Sequence, residues 1–170
     1  QGTMQAIVLG GGSIKGAFQA GALAEILSRG FAPGVITGIS VGALNGAFLT
    51  ERAGRAAPTA PDWPALGAEL VRFWTDNVTR PDDLIARRST GSIAWGALWS
   101  RFDGLVKTDP LRALVRREIL EANLRRSPVA FHAGTVNLAD GEIVYANLGF
   151  PNLLEYIIAS TAIPIMMPLS

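Results

Sequence analysis

The sequence predicts an α/β fold that is built on parallel strands. Two short apolar runs, from Met4 to Leu9 and from Gly34 to Thr37, have the length expected of buried parallel strands. The segment between them predicts a helix, with Gly30 as its C-cap. Its apolar residues recur at helical spacing: Ala17, Leu23, Ala24, Ile26 and Leu27. Strand, helix and strand form one βαβ unit, whose crossover is almost always right-handed.

A glycine-rich cluster follows each predicted strand, from Gly10 to Gly16 and from Gly38 to Gly42. Because parallel strands end at the same edge of a sheet, we expect the two clusters to be neighbours. Ser40 lies in a tight strand-to-helix turn, which requires small residues two positions before and after it, and Gly38 and Gly42 meet that requirement. Negative charge at a helix N-terminus is favourable. The second cluster therefore predicts a nucleophilic serine.

The first cluster predicts an oxyanion hole. Glycine has no Cβ, so its backbone N–H can approach an oxyanion closely. The expected donors are the amides of Gly10, Gly11, Gly12 and Ser13. Nucleotide binding is the alternative for such a loop. A phosphate-binding Walker A loop has a glycine before its lysine, whereas Lys15 precedes its glycine here. A dinucleotide-binding loop does not fit either, because Lys15 occupies its third glycine position and Gly38 stands where an acidic residue would end the second strand.

The middle of the chain predicts a connection, a helix and an irregular region. Prolines and alanines from Ala53 to Pro64 predict a surface connection. The next segment, Trp63 to Trp74, predicts a helix whose apolar side carries Leu66, Leu70, Val71 and Trp74. The pattern weakens from Thr79 to Gly104, which we interpret as an inserted or mobile region.

The last third predicts a helix and a hairpin. Asp109 and Pro110 predict an N-cap and a first helical residue. An apolar stripe that ends near Arg125 and Arg126 follows them: Leu111, Leu114, Val115, Ile119 and Leu120. The pair Asp140-Gly141 lies between two strand-like runs, where it is the ordinary signal for a tight hairpin turn.

The two glycine clusters together resemble those of a known family. The segment from Leu9 to Gly21, followed by Gly38 to Ala43, resembles the bacterial-type patatin-like phospholipases. Later segments that resemble the same family are Lys107 to Leu111, Thr135 to Glu142 and Ala159 to Pro164. The resemblance implies a three-layer α/β/α fold with a mostly parallel central sheet. It also implies that residues 4–170 are the nucleophile-bearing part of a single domain, with residues 1–3 as an expression scar.

The resemblance also implies a reaction. Members use a serine and aspartate dyad to hydrolyse acyl lipid esters, as phospholipases A and lysophospholipases do, and Ser40 matches the serine. Ser13 departs from the pattern, because many members have a glycine there. The family's aspartate follows the Ala-Ile-Pro segment, so we expect it beyond Ser170 and expect the natural protein to continue. Asp140 and Asp103 are the in-chain Asp-Gly alternatives, and we interpret them as turn and loop residues.

Three alternative functions remain open from the sequence. An ordinary α/β-hydrolase would use Ser40, an acid such as Asp109, and His132 as the base. Its elbow normally follows several strands, whereas one strand and one helix precede Ser40. An acyltransferase would pass the acyl group to an alcohol or thiol. A catalytically silent domain would use its pocket to bind lipid or a partner.

Two further features suggest lipid contact. Lys15 could hold an anionic head group, although it is equally interpreted as a surface cation at the start of a helix. Trp95, Trp99 and Phe102 share a helical face, together with Leu98, and this face is either core or a patch that meets a membrane. The expected substrate is a phospholipid or another acyl lipid.

Composition excludes several other classes of function. The chain has 170 residues, a formal net charge of +1 and no long basic run, which argues against nucleic-acid binding. It has no cysteine, and its carboxylates and its one histidine show no metal-ligand spacing, so we expect neither metal nor cofactor. We find no signal peptide or membrane span, and expect a soluble protein, cytoplasmic or peripheral to a membrane. The sequence leaves the oligomeric state open.

Overall fold

A computed structural model describes residues 4–12, 15–78, 109–137 and 139–161. Within these ranges the chain forms four strands and six helices. In chain order they are β1 (Ala6–Leu9), α1 (Lys15–Ser28), β2 (Val35–Ile39), α2 (Val41–Ala56), α3 (Trp63–Val78), α4 (Asp109–Glu118), α5 (Glu121–Arg126), β3 (Ala130–Val136), β4 (Ile143–Asn147) and α6 (Leu153–Thr161). The predicted βαβ unit is therefore present.

The four strands form one sheet in the order β1, β2, β3, β4. Strands β1, β2 and β3 are parallel, and β4 is antiparallel to β3. Leu9 pairs with Gly38, and Ile39 pairs with Gly134, so the carboxyl ends of the three parallel strands lie at one edge. A mostly parallel sheet with flanking helices confirms the predicted α/β class and is consistent with the three-layer α/β/α arrangement.

Helix α2 is the central helix of the described part. Every residue from Val41 to Gly54 is buried, and the helix contacts all three parallel strands as well as α1, α3, α5 and α6. Gly46 brings it close to the sheet, because a Cβ there would lie 2.9 Å from the Ile36 side chain and 3.0 Å from that of Phe131. The turn that precedes α2 is therefore fixed by a helix with partners on several sides.

Strand β1 is buried on one face only, where we expected a buried strand. Ile7 and Leu9 lie in the core, whereas Val8 is 79% exposed. Successive side chains of a strand point to opposite faces. The described helix that contacts β1, α2, lies over the face of Leu9, so the face of Val8 is uncovered by the described residues.

The connection after α2 is shorter than predicted. The prediction of a surface segment from Ala53 to Pro64 is wrong in its first part, because Ala53 is fully buried and α2 continues to Ala56. The reason is a close contact with α5: a Cβ on Gly54 would lie 1.8 Å from the carbonyl oxygen of Asn123. This contact keeps the last turns of α2 in the core.

The apolar stripe that we predicted as one helix is divided between α4 and α5. Val115 and Ile119 are fully buried, as the stripe predicts, but Leu120 is 53% exposed in an extended conformation with φ −91° and ψ 118°. The carbonyl of Glu118 accepts a hydrogen bond from the Arg52 guanidinium at 2.6 Å. Because this carbonyl has a partner outside its helix, α4 can end there.

The hairpin between β3 and β4 confirms the predicted turn at Asp140 and Gly141. Gly141 has a positive φ of 75°, and its N–H donates to the carbonyl of Asn137 at 2.8 Å. The Asp140 carboxylate accepts hydrogen bonds from the Asn137 side chain at 2.8 Å and from the backbone N–H of Glu142 at 2.9 Å. The carboxylate of Asp140 is therefore hydrogen-bonded within its own turn.

A buried ion cluster joins the helices behind the sheet edge. We use this name for Arg52 and the three carboxylates that it contacts: Glu51, Glu69 and Glu118. Burial raises the pKa of Glu51, but hydrogen bonds from Asn123, Arg52 and Arg55 outweigh it and hold the pKa below its usual value. Burial lowers the pKa of Arg52, and the carboxylates of Glu69 and Glu51 reverse this. Both pKa directions favour the charged forms of Glu51 and Arg52 in the folded protein.

Several predictions lie outside the described residues. They concern Ser13, the region from Thr79 to Gly104 with Trp95, Trp99 and Phe102, and the last part of the segment from Ala159 to Pro164. Among the helices that are described, none has the length and apolar character needed to cross a bilayer. The same described part of the chain holds no group of three or more His, Asp or Glu side chains that could bind a metal ion.

Candidate active site

Ser40 forms a sharp turn between β2 and α2. It has φ 57° and ψ −128°, and only Asn152 shares a positive φ among the described non-glycine residues. Such a conformation costs about 1–3 kcal/mol and persists only where the surrounding structure imposes it. The Ser40 side chain is partly exposed and makes no capping hydrogen bond to α2. The turn thus presents a hydroxyl at the N-terminus of a buried helix.

The glycines two positions before and after Ser40 have no room for a side chain. A Cβ on Gly38 would lie 2.2 Å from the carbonyl oxygen of Gly42. A Cβ on Gly42 would lie 2.4 Å from the carbonyl oxygen of Leu9 and 2.8 Å from that of Gly10. The turn at Ser40 and the loop after β1 are therefore in backbone contact, as adjacent parallel strands require.

The loop after β1 lies beside the serine. A Cβ on Gly11 would lie 3.3 Å from the Ser40 Cβ and 3.9 Å from its Oγ. Gly10 and Gly11 are exposed, and Gly12 has a positive φ of 154°. Three of the four residues predicted to donate to an oxyanion are therefore described and lie at this edge of the sheet.

Lys15 begins helix α1 directly after the loop. Its backbone N–H donates to the carbonyl of Gly12 at 2.9 Å, and a Cβ on Gly12 would lie 3.2 Å from the Lys15 side chain. The lysine side chain is exposed. A cation therefore stands beside the glycine loop, which leaves both interpretations of Lys15 in place.

Ser160 supports the turn from the far end of the chain. Its hydroxyl accepts a hydrogen bond from the backbone N–H of Ser40 at 2.8 Å and donates one to the carbonyl of Gly134 at 2.5 Å. Helix α6 and strand β3 thereby hold the backbone of the strained residue. This residue entered the sequence analysis only as part of a segment, because no local pattern marks a contact across 120 positions.

A chain of side-chain hydrogen bonds, from an indole through two amides, supports the glycine loop. The Trp74 indole N–H donates to Asn45 Oδ1 at 2.7 Å, and Asn45 Nδ2 donates to Gln19 Oε1 at 3.1 Å. Gln19 Nε2 then donates to the carbonyl of Gly10 at 2.8 Å. Sequence reasoning missed these three residues. The available signal was Asn45, an amide within the otherwise apolar first turns of a buried helix.

His132 and Asp140 do not contact Ser40 in the described part. His132 lies in β3 opposite Thr37 and Asn147, and no hydrogen bond among the described residues joins it to Ser40. Asp140 is held in the hairpin. Asp109 is the first residue of α4, where we predicted an N-cap.

A serine hydroxyl beside a loop of exposed backbone amides is an arrangement suited to acyl transfer. The hydroxyl can attack a carbonyl carbon, and amide donors can stabilise the oxyanion that forms. Comparison with protein families supports this chemistry, because the model of the family described as patatin-like phospholipase matches residues 7–170. Comparison with the curated proteins gives no match.

Proposed function

The chain belongs to the patatin-like phospholipase family, whose members are lipid acyl hydrolases, and on this basis we propose that it hydrolyses acyl lipid esters with Ser40 as nucleophile. The observation that carries the proposal is the strained turn at Ser40 next to Gly11. The strain has a chemical use, since it keeps a serine side chain at the sheet edge and out of the hydrogen-bonding pattern of α2.

In the first step the Ser40 oxygen attacks the ester carbonyl carbon, and its proton passes to a carboxylate base. We assign that base to the dyad aspartate which the family resemblance predicts beyond Ser170. The carbon to oxygen bond of the leaving alcohol then breaks, and the base returns the proton to that alcohol. In the second half of the reaction the base takes a proton from water, which attacks the acyl-serine carbonyl. The bond between the acyl carbon and Ser40 Oγ breaks, the fatty acid leaves, and the base gives the proton from water to Ser40 Oγ.

The loop of Gly10, Gly11, Gly12 and Ser13 is proposed to bind the oxyanion through its backbone amides. Loss of one donor of this kind typically costs about 3 kcal/mol of transition-state stabilisation. The N-terminus of α2 adds a favourable field, because its macrodipole is positive where the charge develops. Amide donors that are held in place before the reaction need no reorganisation during it.

The proposed substrate is a phospholipid or another acyl lipid, cleaved as by a phospholipase A or a lysophospholipase. Lys15 is exposed beside the loop, which supports a contact with an anionic head group. Contact with a membrane through Trp95, Trp99 and Phe102 stays a prediction from the sequence. The reaction as proposed uses no metal and no cofactor.

A serine-directed fluorophosphonate probe tests the nucleophile in the full-length protein. We expect the wild type to be labelled and Ser40→Ala to be unlabelled while its circular dichroism is unchanged. Ser28→Ala is the matched control, because Ser28 lies at the end of α1 and, among the described residues, its hydroxyl bonds within its own helix, to the carbonyl of Glu25. This variant should label as the wild type does.

Two results would overturn the proposal. Labelling that survives in Ser40→Ala would place the nucleophile elsewhere, and a folded wild type that neither labels nor releases fatty acid would favour a domain that binds lipid without chemistry. Release of fatty acid from phospholipid vesicles should accompany labelling. Formation of a new ester or thioester with an added alcohol or thiol would identify an acyltransferase instead.

A further inference from the structure

The glycine loop needs something to hold its peptide planes. Glycine reaches backbone conformations on both sides of φ zero at little cost, so a peptide between two glycines can rotate easily. Gly10 and Gly11 are such a pair. If their shared peptide turned over, a carbonyl oxygen would face the position where an N–H is needed, and repulsion would replace the stabilisation of an oxyanion.

The carbonyl of Gly10 is held by a side chain of helix α1. It accepts the hydrogen bond from Gln19 Nε2 at 2.8 Å, and it lies 2.8 Å from where a Cβ on Gly42 would stand. In a trans peptide the N–H of the next residue points in the direction opposite to the carbonyl. The N–H of Gly11 is therefore directed away from Gln19 and Gly42, toward the exposed side of the loop.

The direction of this hydrogen bond is set by Trp74 and by the carbonyl of Gly16, which both contact the Asn45 amide. An indole N–H can only donate, so Asn45 must turn its oxygen to Trp74 and its NH₂ to Gln19 and to the carbonyl of Gly16. Gln19 then presents its oxygen to Asn45, and only its NH₂ is left for the carbonyl of Gly10. Asn45 is fully buried and Trp74 is 4% exposed, so water cannot easily replace either contact.

We propose that Trp74, Asn45 and Gln19 form a one-directional amide relay that locks the Gly10 peptide so that the Gly11 N–H faces the oxyanion formed at Ser40. They are positioning residues, because Gln19 acts on the oxyanion only through the peptide of Gly10. The inference rests on the proposed function, since it assigns a purpose to the loop of that same site. It adds residues from α1, α2 and α3 to the site.

Gln19→Glu is the informative variant. The introduced carboxylate has nearly the same shape but cannot donate, so it repels the Gly10 carbonyl and favours the turned peptide. With a soluble p-nitrophenyl ester as substrate, we expect kcat to fall by about 10- to 100-fold and KM to change by less than about threefold, as for loss of a transition-state donor.

The same variant has a second readout, its pH dependence. A protonated carboxyl at position 19 can donate a hydrogen bond to the Gly10 carbonyl again. The ratio of variant to wild-type kcat should therefore rise as the pH falls from about 8 to about 5.

Gln5→Glu is the matched control, because within the described part of the chain the Gln5 side chain accepts a hydrogen bond from the N–H of Ala32 and donates none, and a carboxylate keeps that role. It should leave kcat unchanged. Trp74→Phe gives a second route: it keeps a ring in the core and removes the indole N–H that donates to Asn45, together with part of the ring volume. We expect kcat of the folded variant to fall about 3- to 10-fold. This variant decides the question if Gln19→Glu does not fold.

The relay is wrong if folded Gln19→Glu keeps wild-type kcat, or if its deficit is the same at every pH. These results differ from a failure of the proposed function, which would appear as turnover that survives in Ser40→Ala. A protein in which Ser40→Ala abolishes turnover and Gln19→Glu does not would retain the nucleophile and lose only the relay.

Discussion

The backbone N–H of Ser40 donates to the hydroxyl of Ser160, which lies 120 residues later in the chain and donates in turn to the carbonyl of Gly134. One hydroxyl therefore joins the strained turn to helix α6 and to strand β3. Because Ser40 has a positive φ that costs free energy, it needs such support. The bond also uses the N–H of Ser40, so that this amide is not a donor for an oxyanion.

Ser160→Ala should weaken both the fold and the reaction. The substitution leaves the N–H of Ser40 and the carbonyl of Gly134 without their partner in a partly buried place, which costs about 1–3 kcal/mol of unfolding free energy. We also expect a several-fold lower kcat, because the turn can relax. Urea denaturation and ester hydrolysis measure the two effects.

The neighbouring hydroxyl provides the control for Ser160. In the ranges that the structure describes, Thr161 donates only to carbonyls of its own helix, those of Ile157 and Ile158. Thr161→Val should therefore change the unfolding free energy by less than about 1 kcal/mol and leave kcat unchanged. Equal effects of the two substitutions on kcat would show that Ser160 has no special relation to the turn.

Gly42→Ala should be much more harmful than an alanine at another helical glycine. Its Cβ would lie 2.4 Å from the Leu9 carbonyl oxygen, and both atoms belong to rigid backbone. We expect a loss of about 3 kcal/mol or more, or failure to fold. Gly21 lies inside α1, and no atom of the described residues lies within 4 Å of the place where its Cβ would stand, so Gly21→Ala should gain about 0.5–1 kcal/mol. Thermal denaturation of the pair tests the contact between the two turns, and similar melting temperatures would contradict it.

His132→Ala should leave most of the turnover. His132 pairs with Thr37, three residues before the proposed nucleophile, and no described hydrogen bond joins it to Ser40. A histidine base would be indispensable, and its removal would cost about a thousandfold or more in kcat. We expect a change of less than about threefold in ester hydrolysis. A loss of the larger size would replace the dyad by the ordinary α/β-hydrolase arrangement.

The sequence was informative where the signal is local. The apolar runs and the spacing of Gly38, Ser40 and Gly42 predict the βαβ unit and the sharp turn, because sterics within a few residues decide them. Contacts between residues that are far apart in the sequence have no such local pattern. Ser160 looks like any helical serine, and Ala53 looks like a loop residue until the contact between Gly54 and α5 draws α2 onward to Ala56.

Polar residues inside helices were the least predictable part of the site and of the core. Gln19 and Asn45 lie 26 residues apart, and nothing in either segment predicts the amide of the other. The same holds for Glu51 and Asn123, which meet between α2 and α5 at a distance of 72 residues. The buried ion cluster could therefore be recognised only from the fold.

Glu51→Gln should reduce the pH dependence of stability. Burial raises the pKa of Glu51, but hydrogen bonds from Asn123 and the neighbouring arginines hold it below the ordinary value of 4.5 in the folded protein. A lowered folded pKa gives stability that is present above about pH 4.5 and is lost as the pH falls through the folded pKa. The wild type should therefore lose unfolding free energy below about pH 5, and Glu51→Gln should lose less.

At neutral pH the same substitution should cost about 3 kcal/mol of unfolding free energy, because it removes one partner of a buried pair while Arg52 keeps Glu69 and Glu118.

Glu25→Gln is the control, since Glu25 forms an exposed pair with Arg29 and its substitution should change the unfolding free energy by less than about 0.5 kcal/mol. Urea denaturation of all three proteins between pH 3.5 and pH 7, a range of about four units around the ordinary carboxyl pKa, measures both effects. If the unfolding free energies of the wild type and Glu51→Gln fall in parallel as the pH falls, another carboxylate is responsible for the acid sensitivity. Glu155 is one such carboxylate, because its hydrogen bond with Arg116 lowers its pKa.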